Sequence, residues 1–324
     1  MAEWLVERGI GEDRAILVEA EQVLAARADW PGKAAAGLIT DAILIARTAG
    51  SPRGTVRLPS GEEALVSGLP REASEGSTIR VAVTRATMAE SGRYKRAQCR
   101  PSPAACRPAP TLAEALAAEG QSVSTIRTFP AGLWEEAFAL GWSGAAEFSG
   151  GSLTLSATPA MTLIDVDGHL KAPELALSAT RAIAEAIRQL DLGGSIGIDF
   201  PTLAEKSARR AIDEALDLAL TGWPHERTAM NGFGFVQLVA RLERPSLLHR
   251  FAQDRTGAAA RLLLRQAERV EAPGTLLLTL HPAVRAAILP AWEQELARRS
   301  GRRLEWREDS ALALDGGFAQ AITQ

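Results

Sequence analysis

Alternating apolar and polar residues at the start of the chain are typical of short strands. Residues 3–29 contain two such runs, E-W-L-V-E-R and R-A-I-L-V-E-A, which are joined through a turn at Gly9 and Gly11. We therefore expect residues 1–33 to form an N-terminal pair of strands that packs on the region further along the chain.

Between residues 34 and 98 the pattern changes to short β-rich pieces that Gly and Pro interrupt. The pieces are A-I-L-I-A-R, G-T-V-R-L, E-A-L-V-S-G and T-I-R-V-A-V-T-R. Four or five closely spaced short strands are typical of a small barrel or an oligonucleotide-binding (OB) fold. The Pro-rich segment that follows has the composition of a linker, and Thr111 and Glu114 have the spacing of a capping box. Residues 99–122 are therefore predicted to be a linker and a short helix.

Strand-like and helix-like runs alternate between residues 123 and 250. The predicted order is a helix, two strands, a helix, a strand and a helix, near residues 131–140, 152–156, 161–166, 174–190, 195–200 and 202–220. A strand, helix, strand order predicts a βαβ unit with two parallel strands. The last part, 251–324, is predicted to contain a long helix, a strand, a helix and a strand, near 252–270, 275–280, 282–299 and 303–308. The whole pattern predicts a mixed α/β (α+β) protein.

The composition is that of an ordinary globular chain: 324 residues, 46% hydrophobic and 23% charged, with a net charge of −3. This net charge does not attract nucleic acid to the whole surface, so a nucleic-acid partner would have to bind local basic patches.

The start of the chain lacks the pattern of a signal peptide, and no stretch is apolar enough to span a bilayer. We expect a cytoplasmic protein without membrane contact. Cys99 and Cys106 do not have the spacing of a zinc or redox motif, so no zinc is expected.

Three aspartates lie within two strand-like segments. T-L-I-D-V-D-G holds Asp165 and Asp167, and S-I-G-I-D-F holds Asp199. Residues i and i+2 of a strand share a face, and the βαβ unit would bring Asp199 to the same sheet edge as Asp165. A carboxylate among buried apolar residues is costly unless it is paired or metal-bound. Acids at the ends of neighbouring strands commonly hold Mg²⁺ for phosphoryl transfer, so the residues predict a metal-dependent enzyme.

A purely structural interpretation of the same acids stays open. Asp165 and Asp167 would end a strand in a turn, and Asp199 would cap the helix that follows it. Thr202 and Glu205 have the spacing of a second capping box, which predicts a helix N-terminus close to Asp199. Such an N-terminus favours anions and would help to place a phosphate.

The same segments resemble the ribonuclease E/G family. The resemblance rests on three pairs of motifs. They are S-G-G-S-L-T-L-S-A-T-P-A-M-T-L-I-D-V-D-G with D-L-G-G-S-I-G-I-D-F, then N-G-F-G-F-V-Q-L with R-P-S-L, and finally L-H-P-A-V with G-R-R-L-E-W-R-E-D. The resemblance implies an OB-type RNA-binding barrel over 34–98, inserted after the N-terminal hairpin. It also implies a DNase-I-like and RNase-H-like mixed α/β catalytic region over 123–250 and a small C-terminal α/β segment over 251–324.

The resemblance implies a Mg²⁺-dependent endoribonuclease, with Mn²⁺ as a substitute, that hydrolyses single-stranded RNA to 5′-phosphate and 3′-hydroxyl ends. Asp165 and Asp199 fall on the two metal-binding aspartates of the family, and Asp167 falls where the family usually has an Asn that orients the first aspartate. Lys95 falls near a family lysine that contacts RNA. The basic residues expected to hold RNA are Arg93, Lys95, Arg96, Lys206, Arg209 and Arg210.

The chain departs from the family in three ways. L-L-H-R-F-A-Q-D stands where the family has its zinc motif, so a zinc-linked dimer is not expected. Only about 30 residues, mostly linker, stand where the family has its sensor of the RNA 5′ end, so that sensor is expected to be missing. Residues 34–93 contain no Phe, Trp or Tyr for stacking on bases. Two alternatives stay open: an RNA-binding protein that has lost cleavage, and another metal-dependent phosphodiesterase on a similar βαβ core.

Overall fold

The N-terminal region is a meander of three antiparallel strands rather than a pair. The computed structural model describes residues 2–90 and 93–323, and for residues 89, 90, 93 and 94 it describes the backbone only. The meander consists of β1 (Glu3–Arg8), β2 (Asp13–Glu19) and β3 (Gln22–Asp29). The strand that the sequence pattern missed follows a turn at Ala20 and Glu21, both of which have positive φ. Gly and Asn are the usual residues in such turns, so the sequence carries no signal there.

A closed barrel of five strands follows, which confirms the small barrel predicted from the sequence and is consistent with an OB-like fold. The strands of this region are β4 (Ile39–Arg47), β5 (Arg53–Arg57), β6 (Glu63–Ser67), β7 (Thr78–Arg85), β8 (Met88–Glu90), β9 (Arg93–Lys95) and β10 (Ala97–Pro101). The barrel order is β10-β6-β5-β4-β7, and β8 and β9 form a separate hairpin. The fifth barrel strand, β10, extends beyond the predicted end at residue 98. Leu44, Val56 and Val81 are fully buried in the barrel core.

The segment after the barrel contains a short helix and a strand. Helix α1 (Leu112–Ala118) begins with the predicted capping box: the Glu114 N–H donates to Oγ1 of Thr111, and the Thr111 N–H donates to the Glu114 carboxylate. Strand β11 (Val123–Ile126) then pairs in parallel with β1. The resulting sheet has the order β11-β1-β2-β3.

A sheet of six strands forms the central part of the molecule. Its elements, with the helices between them, are α2 (Leu133–Ser143), β12 (Ala145–Phe148), β13 (Gly151–Ala157), β14 (Thr162–Gly168), α3 (Ala172–Gln189), β15 (Gly194–Asp199), α4 (Lys206–Ala219), β16 (His225–Arg227) and β17 (Phe235–Ala240). The strand order is β12-β13-β14-β15-β17-β16. β14 and β15 are parallel and are connected through α3, which confirms the predicted βαβ unit.

One face of this sheet is buried and the other is open. Alternation along β14 sends Ile164 and Val166 into the core, and Ile196 and Ile198 of β15 do the same. Their apolar surface packs in one cluster with the buried side of α3. The residues between them on β14 and β15 point to the other face, and several of these are exposed. The N-terminal sheet joins the buried side, where the amide of Gln189 donates to the Val23 carbonyl at 2.8 Å.

The C-terminal part is a second small α/β layer. It consists of α5 (Leu247–Gln253), α6 (Arg255–Glu268), β18 (Thr275–Leu280), α7 (Pro282–Ala287), α8 (Pro290–Ser300), β19 (Leu304–Glu308) and β20 (Phe318–Ile322). The helix predicted over 252–270 begins at 255 instead, because Asp254 interrupts the helical run and caps α6 by accepting from the Gly257 N–H at 2.8 Å. The helix predicted over 282–299 is divided at Pro290, which disfavours a helical conformation in the residue before it.

A buried ionic cluster joins the N-terminal sheet to helices α2 and α6. The Arg14 side chain is fully buried and donates to Glu7 at 2.7 Å. Arg265, also buried, donates to Glu7 at 3.0 Å and to Glu135 at the start of α2. Since a buried charge without a partner is costly, these pairs hold the three elements in one arrangement. No helix of the described residues is long and apolar enough to cross a membrane.

Candidate active site

The three aspartates lie at one end of the open face of the six-stranded sheet. Asp165 pairs with Asp199 across the parallel β14–β15 ladder, so the two Cα atoms are one strand spacing apart, about 4.8 Å. Asp165, Asp167 and Asp199 are all exposed, whereas Ile164 and Ile198 beside them are fully buried. Strand alternation therefore gathers the acids on one surface, as the sequence predicts.

The carboxylates crowd one another. The pKa of Asp165 is raised above its usual value, first by partial burial and then by the negative charges of Asp167 and Asp199. A hydrogen bond with the Asp167 carboxyl adds to this rise, and the Val166 N–H opposes it. This arrangement disfavours negative charge on Asp165 when no cation is near, and a bound cation would reverse that preference.

The acids fit Mg²⁺ as a pair of ligands. Among the described residues, no three His, Cys, Asp or Glu side chains are gathered closely enough to hold a metal ion by themselves. Mg²⁺ in phosphoryl-transfer sites is usually bound by one or two carboxylates and keeps water and phosphate oxygens as its other ligands. Asp165 and Asp199 match that donor set, with Asp167 as a neighbouring negative charge.

An apolar surface lies beside the acids on the same open face. Gly197 has no side chain, and a Cβ there would lie 2.5 Å from Cζ of Phe235, 2.9 Å from Sδ of Met161 and 3.0 Å from Cδ2 of Leu163. These three side chains therefore close over Gly197 and form a floor next to Asp199. Phe235 stands directly opposite Asp199 in the antiparallel ladder.

The segment after Asp199 differs from the prediction. Helix α4 begins at Lys206, and Thr202 and Glu205 do not form a capping box. Oγ1 of Thr202 instead donates to the Phe233 carbonyl at 3.3 Å. Burial of Phe200 and Leu203 holds the segment as a loop, so the helix begins four residues later than predicted. The helix N-terminus therefore does not directly follow Asp199.

One of the predicted basic residues, Lys95, lies at the opposite end of the strands from the acids. Lys95 lines a small cleft with Thr162 and Gly194, where β14 and β15 begin. Thr162 precedes Asp165 by three residues, which is about 10 Å along a strand. Arg96 forms a half-exposed ion pair with Glu63 at 3.0 Å. The side chain of Arg93 lies outside the described residues.

The other three predicted basic residues lie on α4. Lys206 is exposed at the first position of the helix. Arg209 donates to the Leu203 carbonyl at 2.6 Å and to the next carbonyl at 2.9 Å, so it closes the loop before the helix. Arg210 pairs with Glu214 at 3.0 Å on the exposed helix surface. Contacts within the chain thus account for two of the three cations, and an RNA contact by any of them stays a prediction.

A basic cleft of about 300 Å³ was missed by the sequence reasoning, because its arginines come from distant segments. The arginines that line it are Arg8, Arg127, Arg265, Arg269 and Arg299. Acids neutralise part of this charge: Arg299 pairs with Glu268 at 2.8 Å, and Arg265 with Glu7 at 3.0 Å.

An exposed aromatic residue in a turn that contacts the segment after Asp199 was also missed. Phe233 is 81% exposed, in the turn that leads into β17. The sequence marks N-G-F-G-F only as a turn before a strand. Apolar side chains are uncommon in turns, so the two Phe residues around a glycine could have indicated an exposed functional aromatic side chain.

The comparisons with known proteins concern the sheet that carries the acids. The model of the "Ribonuclease E/G family" matches residues 146–240, from β12 to the end of β17. This segment is therefore similar to the ribonuclease E/G family. Ribonuclease G of Escherichia coli (strain K12), of Salmonella typhimurium and of Haemophilus influenzae are each 34% identical to this chain over 113 residues. The matches cover 31% of this chain and 23% of each relative, so the chain matches about a quarter of their length. The resemblance seen in the sequence is confirmed for this segment.

Proposed function

We propose that this protein is a Mg²⁺-dependent endoribonuclease that cleaves single-stranded RNA. The observation that carries the proposal is the placement of Asp165 and Asp199, opposite each other on parallel strands, within the segment that matches the ribonuclease E/G family. Relatives named Ribonuclease G support the reaction class. An RNA substrate also supports a cytoplasmic location.

The roles of the protein groups follow from their positions. Asp165 and Asp199 would hold the metal on the open face, where a strand of RNA has access to it. When bound there, Mg²⁺ would lower the pKa of a water ligand and neutralise charge on the phosphate. Attack of water on phosphorus with the 3′ oxygen as leaving group gives a 3′-hydroxyl on one product and a 5′-phosphate on the other.

The barrel and the open face offer a path for the RNA strand. The hairpin β8–β9, which lies between barrel strands β7 and β10 in the chain, would present Lys95 at the edge where β14 and β15 begin, and Arg96 follows it in the chain. The barrel is of the OB type in this proposal. Lys206 is exposed at the start of α4, after the loop that follows Asp199. A strand that runs from one edge to the other crosses the acids. Contacts from these cations would be to phosphates, which bind RNA without reading its sequence.

A second candidate is an RNA-binding protein that has kept the fold and lost cleavage. Asp167 favours it, because an extra carboxylate stands where the family has an Asn, and its charge raises the pKa of Asp165. Retention of both Asp165 and Asp199 argues for the enzyme. A third candidate is a phosphodiesterase that acts on another substrate.

Incubation of the purified protein with end-labelled single-stranded RNA tests the proposal. The reactions contain Mg²⁺, Mn²⁺ or EDTA, and a duplex of the same sequence is the matched substrate control. We expect internal cleavage of the single strand with either metal and none with EDTA, with 5′-phosphate product ends. Binding without cleavage would favour the second candidate, and neither binding nor cleavage would favour the third.

A further inference from the structure

The turn that carries Phe233 is held in one conformation by hydrogen bonds to the Asn231 side chain and by close packing at Gly234. Oδ1 of Asn231 accepts from the Phe233 N–H at 2.9 Å and from the Phe235 N–H at 3.1 Å. Gly234 has φ +92°, and a Cβ there would lie 2.3 Å from the Phe200 carbonyl oxygen, so only glycine fits. The turn is therefore fixed before any ligand arrives.

This turn also touches the strand end that carries Asp199. The Phe200 N–H donates to the Gly234 carbonyl at 3.2 Å, and Thr202 donates to the Phe233 carbonyl at 3.3 Å. Both contacts come from the three residues that follow Asp199. The turn that carries Phe233 is therefore tied to the chain segment next to the candidate metal ligand.

The Phe233 ring is exposed, unlike the ring of Phe235 in the same segment. It is 81% exposed, whereas Phe235, two residues later, lies over Gly197 on the sheet face. Large apolar side chains that stand alone on a surface are common. This one differs because it stands on a hydrogen-bonded turn at the edge of the candidate active site, two residues before Phe235.

We propose that Phe233 stacks on a base of the RNA strand beside the scissile phosphate, with Phe235 as the apolar floor under the neighbouring nucleotide. This inference rests on the proposed function, and it assigns the base-stacking surface to the sheet rather than to the barrel. Residues 34–93 of the barrel contain no Phe, Trp or Tyr. Aromatic rings stack on every base, so this contact does not depend on sequence.

The charge of the site favours a base over a phosphate as the group that meets Phe233. Asp165, Asp167 and Asp199 make the surface negative, and a polyanion is repelled from it except at the metal itself. Stacking supplies attraction that does not depend on charge. Because β17 is the neighbour of β15 in the sheet, bases held by Phe233 and Phe235 would lie on the Asp199 side of the site, and the adjoining phosphate would reach the two aspartates.

Steady-state cleavage by Phe233→Ala, Phe233→Trp and Leu218→Ala tests this role. Leu218 is 78% exposed on α4 and is the matched control for loss of an exposed apolar side chain. We expect Phe233→Ala to raise KM about tenfold, or about 1.4 kcal/mol, with little change in kcat, because the variant loses the stacking of one base. Phe233→Trp should keep the wild-type KM, and Leu218→Ala should change neither parameter.

Abasic substitution in the RNA adds a test of stacking itself. Bases are removed one at a time around the cleaved bond, and each substrate is measured with the wild type and with Phe233→Ala. At one position, removal of the base should raise KM about tenfold with the wild type. With Phe233→Ala, removal of the same base should raise KM no further. If the loss from removal of a base and the loss from Phe233→Ala multiply at every position, the inference is overturned. A wild-type KM in Phe233→Ala would also overturn it.

The failure of the inference is distinguishable from the failure of the proposed function. Cleavage by the wild type with no effect of Phe233→Ala overturns stacking and leaves the endoribonuclease in place. A wild type that does not cleave is tested by the Kd of the same RNA measured with fluorescence anisotropy. A weaker Kd for Phe233→Ala alone then supports stacking in an RNA-binding protein, and equal Kd values overturn it.

Discussion

Individual side chains decide the chemistry of this protein, and strand alternation made the main ones predictable. Asp165 and Asp199 were expected on one sheet edge, and the structure places them opposite each other. The partners of the cations were not predictable in the same way. Arg209 contacts carbonyls of a loop whose course is set by burial of Phe200 and Leu203, which no local pattern reveals.

Asp167 gives a prediction at the residue scale. Its carboxyl hydrogen-bonds with Asp165 and adds negative charge at the candidate metal site. We expect Asp167→Asn to keep cleavage but to require about three- to tenfold more Mg²⁺ for half-maximal rate, because about 0.7–1.4 kcal/mol of attraction for the cation is lost. A Mg²⁺ titration of initial rates measures this.

Asp315→Asn is the control for that titration, since Asp315 is an exposed acid in the C-terminal layer. It should titrate like the wild type. An unchanged Mg²⁺ requirement in Asp167→Asn would mean that Asp167 contributes no field at the metal. Complete loss of cleavage would instead make Asp167 a required ligand.

At the scale of elements, periodicity predicted the long helices and strands well and the short or interrupted ones poorly. β12 and β16 have four and three residues and carry no pattern of their own, so the central sheet was predicted with too few strands. Local signals marked two helix breaks: a capping side chain at Asp254 and a proline at Pro290. The prediction followed the apolar periodicity, which continues through both positions, and missed the breaks. The turn at Ala20 had no signal.

The junction of α2 and α6 gives a prediction for pH. Burial raises the pKa of Glu135, but Arg265 and Arg269 outweigh it, so the pKa is lowered from 4.5. A lowered pKa means that the folded state prefers the charged form. The stabilisation from this group is therefore complete above about pH 4.5, the unfolded value, and is lost as the pH falls through the lower folded value.

Urea unfolding of Glu135→Gln at pH 7 and below pH 4 measures this contribution. We expect a loss of about 1 kcal/mol at pH 7, a modest figure because Glu135 is partly exposed and solvent screens the pair. The difference from the wild type should shrink in acid. Glu136→Gln, the exposed neighbour in the same helical turn, is the control and should differ little from the wild type at either pH. A constant difference would show that charge is not the cause.

At the scale of the whole molecule, the segment where the sequence resemblance would place the family's zinc motif is part of the core. L-L-H-R-F-A-Q-D lies in α5 and the residue after it, and Leu247, Leu248 and Phe251 of that helix are buried. Phe251 packs on Phe138 with ring centroids 4.7 Å apart. The apolar side of α6 is likewise buried within the chain, with Leu262, Leu263, Leu264 and Ala267.

We therefore expect a monomer that binds no stoichiometric zinc. Elemental analysis should find none, and light scattering should give the same mass before and after EDTA. Cys99 is buried, and burial raises the pKa of its thiol to about 12, which disfavours the thiolate that zinc requires. One zinc per two chains, with dissociation on chelation, would contradict this.

Cleavage by the two aspartate variants is the most direct test of the central claim, that Asp165 and Asp199 together hold the metal for RNA hydrolysis. Wild type, Asp165→Asn, Asp199→Asn and the control Asp315→Asn are compared on one labelled single-stranded RNA in saturating Mg²⁺. The account predicts that both site variants lose cleavage to background while their circular dichroism spectra and RNA binding stay those of the wild type, and that Asp315→Asn cleaves normally. Wild-type turnover in either Asp165→Asn or Asp199→Asn would contradict it.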